Sequence, residues 1–263
     1  MYASLAAWGR PRSASPGPRV CYALAVNLMS FSIVTRYNVR SSFAREDVND
    51  PEWLAVRRDL FERHCAPFVL AQSDQDFNWF VFVDNDMAQD EADWLAKTGR
   101  CQIIRCGSQT DGINKIREQI TTGFDLALTT RLDSDDSLAP TFVEEMRRVA
   151  ELNATEVLES RDGFVVCFPN GVEHDTPTEE WFGREYPGNP FVGFLEPASK
   201  EAKMIFHKAH YEMPKSYPTV NVETTDPMWC IRVHGGNVAN VIKGTPLGAA
   251  PIPFIDDQNL AEV

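Results

Sequence analysis

The chain has no run of about eighteen apolar residues, and its mean hydropathy of −0.29 is that of a water-soluble chain, so a membrane-spanning helix is excluded. It is also short of base. Lys and Arg number 25 against 38 Asp and Glu, a formal net charge of −13, which excludes a broad electrostatic footprint on nucleic acid. Its six cysteines, Cys21, Cys65, Cys101, Cys106, Cys167 and Cys230, make no CxxC pair and no metal-ligand spacing. Scattered thiols in a chain of 263 residues read as reduced, which predicts a cytoplasmic location and leaves the sequon Asn153-Ala154-Thr155 idle. Internal repeats are absent, and low complexity is confined to the first eighteen residues.

Acid is missing altogether from residues 1–40, which hold Arg10, Arg12, Arg19, Arg36 and Arg40; the other 223 residues carry a net −18. That shift sets residues 1–30 apart as an N-terminal extension, read as disordered, with Met29 an alternative start and a secretory signal as the competing reading. Residues 31–263 are read as one domain in two halves, 31–152 and 153–263.

Within 31–152 strand and helix alternate. Short β-rich runs at Ser32–Tyr37, Phe77–Val83, Cys101–Arg105 and Asp125–Leu132 are separated by helical spacing at Pro51–Leu70, Asp90–Lys97, Ile113–Thr122 and Pro140–Leu152. Asp50 before Pro51 has the form of a helix cap. This alternation predicts an α/β fold with a Rossmann-like, mostly parallel sheet flanked by helices. The second half is mixed and loop-rich: strands are expected at Phe164–Phe168, Phe191–Leu195, Ala202–His207 and Trp229–His234, with a Gly-, Pro- and acid-rich stretch over 170–190.

Open parallel sheets bind ligands beyond the carboxyl ends of their strands. The strand ends are Thr35-Arg36, Asp84-Asn85-Asp86 and Arg131-Leu132-Asp133-Ser134-Asp135-Asp136. Three Asp within four residues repel one another unless a cation is supplied, and a divalent metal on oxygen ligands is the simplest source. An EF-hand is excluded because its required Gly position is Leu138. The plain alternative for Asp135 and Asp136 is a helix cap for the segment after Pro140.

The stretch Gly112-Ile113-Asn114-Lys115-Ile116-Arg117, then Leu126 to Asp136, resembles the block before and through the DxD motif of GT-A glycosyltransferases. Bacterial rhamnosyltransferases are the closer likeness. They carry a similar strand ending in Arg-Leu-Asp-x-Asp-Asp and a similar segment to Trp229-Cys230-Ile231-Arg232-Val233-His234-Gly235-Gly236-Asn237, so the resemblance runs from about Phe31 to Asn240.

It implies a GT-A fold and transfer of a hexose, with rhamnose resting on the family name, from a nucleotide-diphosphate sugar to a glycan or lipid-linked glycan acceptor. It also implies Mn2+ or Mg2+ held by Asp133, Asp135 and His234, with Asp133 reaching the donor ribose as well. Asp84 then contacts base or ribose, Thr35 and Arg36 line the same pocket, and Arg117 pairs with phosphate or with Asp133.

For an inverting transfer the proton of the acceptor hydroxyl needs a base, for which Glu196 and Asp226 are the candidates, Glu196 preferred for emerging from an apolar strand. His64, His207 and His210 read as structural. A phospho- or nucleotidyltransferase using the same carboxylates, and a degenerate nucleotide- or glycan-binding module, stay open as alternatives.

Overall fold

In the computed structural model, residues 28–40, 47–237 and 241–254 are described. All of the expected N-terminal extension but residues 28–30 lies outside them. Along the chain come β1 (Met29–Arg36), α1 (Pro51–Leu60), a π-helical turn over Phe61–Cys65, α2 (Ala66–Leu70), β2 (Asn78–Val83), α3 (Gln89–Gly99) and β3 (Gln102–Arg105). Then follow α4 (Gln109–Thr121), β4 (Leu126–Asp133), β5 (Ser137–Leu138), α5 (Phe142–Ser160), β6 (Phe164–Cys167), β7 (Asn170–Asp175), β8 (Glu180–Glu185) and β9 (Gly193–Pro197). The last are α6 (Met213–Ser216), β10 (Thr219–Asn221), β11 (Trp229–Val233) and β12 (Thr245–Leu247).

Seven strands make the main sheet in the order β10-β6-β9-β4-β1-β2-β3. Its β4-β1-β2-β3 half is parallel, while β9 runs antiparallel between β4 and β6. Both faces are covered, which is why the strands read as continuous apolar runs. Phe31, Ile33, Val81 and Val83 join Phe61, Phe68, Leu95, Phe142 and Met146 in one core cluster. Val34, Phe80 and Phe82 join Ile113, Ile116 and Ile120 of α4 in another. Gly112 permits that second contact, since a Cβ there would lie 2.5 Å from the Phe82 ring. This is the mostly parallel, helix-flanked α/β architecture that the sequence implied.

The helix expected over Pro51–Leu70 is present with a π turn in its middle. Asp50 caps it, accepting the Trp53 amide at 2.8 Å. The His64 carbonyl, in the π turn, accepts from Ser137 Oγ at 2.5 Å and so ties this helix to β5, directly after the acidic cluster.

A second sheet, ordered β12-β8-β7-β11-β5, draws four of its five strands from the half that reads as mixed and loop-rich, and β5 from the segment just after the acidic cluster. Its β7-β8 hairpin was missed because Gly171, Gly183 and the acidic residues obscure the alternation. Gly171 is needed where it stands: a Cβ would meet the Trp229 ring at 2.1 Å. The strand expected at Ala202–His207 is absent. Glu196 accepts the amides of Lys203 and Met204, and Met204 adopts φ 59, so this backbone has no ladder to join and ends in a single 3-10 turn over Ile205–His207.

Candidate active site at the strand ends

Parallel pairing sets Arg36 of β1 opposite Asp133 of β4 at the carboxyl edge of the sheet. Arg36 donates to Oδ1 of Asp133 through Nη2 at 2.7 Å and Nε at 3.1 Å, and Arg131 donates to Oδ2 at 2.9 Å. The two-residue strand period puts Arg131 and Asp133 on one face. Phe206 lies beneath both guanidinium groups, 5.8 Å from that of Arg36 and 6.0 Å from that of Arg131. Burial alone would raise the Asp133 carboxyl, but these two cations outweigh it and hold the group well below the usual carboxylate range.

Asp135 is buried in the link between β4 and β5. Its Oδ2 accepts from His234 Nε2 at 2.9 Å and Asn237 Nδ2 at 3.3 Å and forms an ion pair with Arg57 Nη1 at 3.2 Å, whose own hydrogen bond goes to Ser134 Oγ. Among the described residues its Oδ1 makes no hydrogen bond. The Gly236 amide donates to His234 Nδ1 at 3.2 Å, so the imidazole proton sits on Nε2, facing Asp135. Asp136 is still deeper, at 1% exposure, and accepts the Arg232 amide at 3.0 Å. Burial, then the charges of Asp135 and Asp133, push its carboxyl far above the ordinary range.

The repulsion expected among three Asp is therefore relieved largely by the protein itself. Two arginines hold Asp133, Arg57 and His234 hold Asp135, and burial favours the neutral form of Asp136. A cavity of 340 Å³ opens beside this network, lined by Asp50, Glu52, Trp53, Val56, Arg57, His234 and Gly236.

The donor set admits a cation in part. Asp135 and His234 meet, and Asp135 has a free oxygen, whereas Asp133 joins them only by releasing an arginine. Ligation through His234 Nε2 also requires its proton to move to Nδ1, which releases the Gly236 amide. Among the described residues no group of three His, Cys, Asp or Glu side chains is gathered as a metal cage.

Asp84 ends β2 at 2% exposure. Burial opposes its charge, but Arg40 at 2.8 Å and Asn49 at 3.0 Å more than compensate, and its carboxyl lies below the ordinary value. Thr35, in contrast, is sealed. It is 0% exposed and its Oγ1 accepts Trp79 Nε1 at 2.9 Å inside the core, so it does not line the pocket. Arg117 does not pair with Asp133 either; it donates to the Ala202 carbonyl at 3.0 Å and to Asn114 at 2.8 Å.

Both carboxylates expected to act as base lie elsewhere. Glu196 pairs with Ala127, six residues back along β4 from Asp133, which is about 20 Å at about 3.3 Å per residue. There it fixes the Lys203–Met204 backbone; burial raises its carboxyl despite those two amides. Asp226 is exposed, ahead of β11, whereas His234 follows the other end of that strand.

Sequence reasoning passed over Arg40, Arg57 and Arg131. Arg131 carried a legible signal, two residues before Asp133 on the same strand. Arg57 carried none, because it reaches Asp135 from a helix 78 residues away in sequence.

The profile of the family described as "Putative rhamnosyl transferase" matches residues 28–246. No curated protein matches significantly. Among solved structures, S. aureus TarS is similar at 11% identity over 78% of this chain and 37% of its own, with a TM-score of 0.41. The chain thus spans little more than a third of TarS. The "putative nucleotide-diphospho-sugar transferase from Desulfovibrio desulfuricans G20" is similar at 6% identity over 78% and 80%, with a TM-score of 0.39. A cytidylyltransferase from Leptospira borgpetersenii serovar Hardjo-bovis gives 13% identity, 76% and 77% coverage and a TM-score of 0.38.

Proposed function

The chain belongs to the rhamnosyl transferase family and is a glycosyltransferase; from that premise we propose that it moves a hexose, rhamnose by the family's name, from a nucleoside-diphosphate sugar to a glycan or lipid-linked glycan acceptor. The observation that carries this reading is the pairing of Arg36 and Arg131 with Asp133 beside the Asp135–His234 contact, all at the carboxyl edge of a parallel sheet.

A body this acidic cannot draw in a diphosphate by its net charge, so the attraction has to be local. Arg36 and Arg131 supply it. Their positions are fixed by Asp133 and by the Phe206 face, so they meet an incoming phosphate without first losing much rotamer freedom. Asp84, held by Arg40 and Asn49, serves the base or ribose. Mn2+ or Mg2+, held by Asp135 and His234, would neutralise the charge that develops on the leaving diphosphate.

No helix among the described residues is long and apolar enough to cross a membrane. Cys65, Cys101, Cys106, Cys167 and Cys230 are free thiols, which supports a cytoplasmic setting.

Calorimetric titration with UDP, GDP and dTDP, each with and without Mn2+, tests the reading. We expect one nucleotide to bind and Mn2+ to tighten it. Absence of binding for all three would overturn the transferase reading, and release of inorganic phosphate or pyrophosphate in place of nucleoside diphosphate would assign a different reaction.

A further inference from the structure

With Glu196 and Asp226 away from the strand ends, the acceptor hydroxyl has no assigned proton acceptor. His210 stands in the right region to be one. Because β9 runs antiparallel to β4 with Gly193 opposite Thr130, the chain enters β9 from the end of β4 that carries Asp133, and the charges of Arg131, Asp133 and Arg36 act on His210. Thr130 Oγ1 fixes this approach, donating to the carbonyls of Phe191 and Val192 at 3.1 and 3.2 Å. Gly188 lies on this connection, at φ +72, and its carbonyl accepts His210 Nδ1 at 2.7 Å. On the other side, Phe206 holds the segment leading to His210 against Arg36 and Arg131.

A carbonyl oxygen only accepts, so Nδ1 of His210 carries the proton and Nε2 keeps its lone pair. Among the described residues Nε2 has no hydrogen-bond partner. His207 differs: its Nδ1 meets the Met204 carbonyl at 2.6 Å and its Nε2 meets Tyr217 at 2.8 Å, so both nitrogens are occupied. Tyr186 and Tyr211 pack edge-on against the His210 ring, with centroids at 6.1 and 5.4 Å, and fix its plane.

We propose that His210 Nε2 is the general base of an inverting transfer. It takes the acceptor hydroxyl proton while the acceptor oxygen bonds to the anomeric carbon and the bond from that carbon to the diphosphate breaks, its electron pair leaving on the phosphate oxygen. The inference rests on the glycosyltransferase reading. The charged and titratable groups around His210 are Arg131 and Asp133 of β4, Arg36 of β1, Tyr186 and Tyr211. Burial first, then the two arginines, lower the imidazole from its ordinary 6.5, against the Gly188 bond and Asp133, so it is neutral and able to accept a proton at pH 7.

The test uses water as acceptor and reads nucleoside diphosphate release from a panel of nucleoside-diphosphate hexoses. In His210→Gln the release should fall about a hundredfold while nucleoside diphosphate affinity stays that of the wild type. His210→Ala should regain part of its rate with added imidazole, and His207→Gln should stay within severalfold of wild type. Wild-type rate should decline as pH falls below the lowered imidazole value, a limb absent from His210→Gln. Unchanged release from His210→Gln, or a parallel loss of nucleotide affinity with no imidazole rescue, overturns the assignment. A wild-type chain that binds no nucleotide overturns the parent reading instead, and this one with it.

Discussion

Arg36 and Asp133 face each other across two parallel strands, with two guanidinium nitrogens on one carboxylate oxygen at 2.7 and 3.1 Å. The contact converts an acid that repels its neighbours into the anchor of a cationic pair. Asp133 keeps a quarter of its side chain exposed, so the pair lies within reach of a ligand.

This contact makes stability depend on acid pH. The Asp133 carboxyl is held below its ordinary 3.8, so the unfolded chain binds more protons there, and the stabilisation is complete above that value and lost as pH falls toward the folded one. Asp133→Asn should cost about 2 kcal/mol at pH 7, since two cations lose a charged partner. Urea unfolding between pH 3 and pH 7 should show a shallower acid limb in the variant.

Asp135→Ala should abolish Mn2+-dependent tightening of nucleotide binding and leave the fold intact, because Arg57 and His234 retain access to water at the cavity. His234→Gln should weaken it about tenfold or more. Calorimetry with and without Mn2+ measures both. Binding that still responds to Mn2+ in Asp135→Ala would remove the metal from this pair.

Glu196→Gln separates fold from chemistry. One of the two backbone amides it accepts loses its partner, so the variant should lose about 1 kcal/mol of stability. The activity of the folded fraction should be unchanged. A large fall in turnover without a fall in melting temperature would restore Glu196 as a reacting group.

Gly171→Ala tests how the second sheet supports the first. The new methyl would overlap the Trp229 ring, and relief by shifting β11 should cost about 1–3 kcal/mol. Because β11 leads into His234, Mn2+-dependent binding should weaken alongside the melting temperature. Unchanged stability would mean that Trp229 has room to move.

The parallel half of the main sheet was legible because each buried strand is a short apolar run with a polar end, and each helix shows its own period. The strand ends therefore came into view as a group, and Arg36, Asp84, Asp133, Asp135 and His234 do gather at one edge. Thr35 was misjudged because period alone does not say which face a core threonine meets; Trp79 takes its hydroxyl. Glu196 was misjudged because its strand runs antiparallel, a direction that short apolar runs do not encode, and the reversal carries it to the far end of the sheet.

The sequence by itself determined an acidic α/β chain with carboxylates at the ends of buried strands, since burial and periodicity are local properties. Tertiary structure decided how those carboxylates are neutralised. Arg57 is 78 residues from Asp135 in sequence and His234 is 99, and only tertiary packing of α1 and β11 brings the guanidinium charge and the imidazole N–H within 3.2 Å of that carboxylate. Coulomb attraction at that range depends on separation in space, and separation along the chain carries almost no information about it.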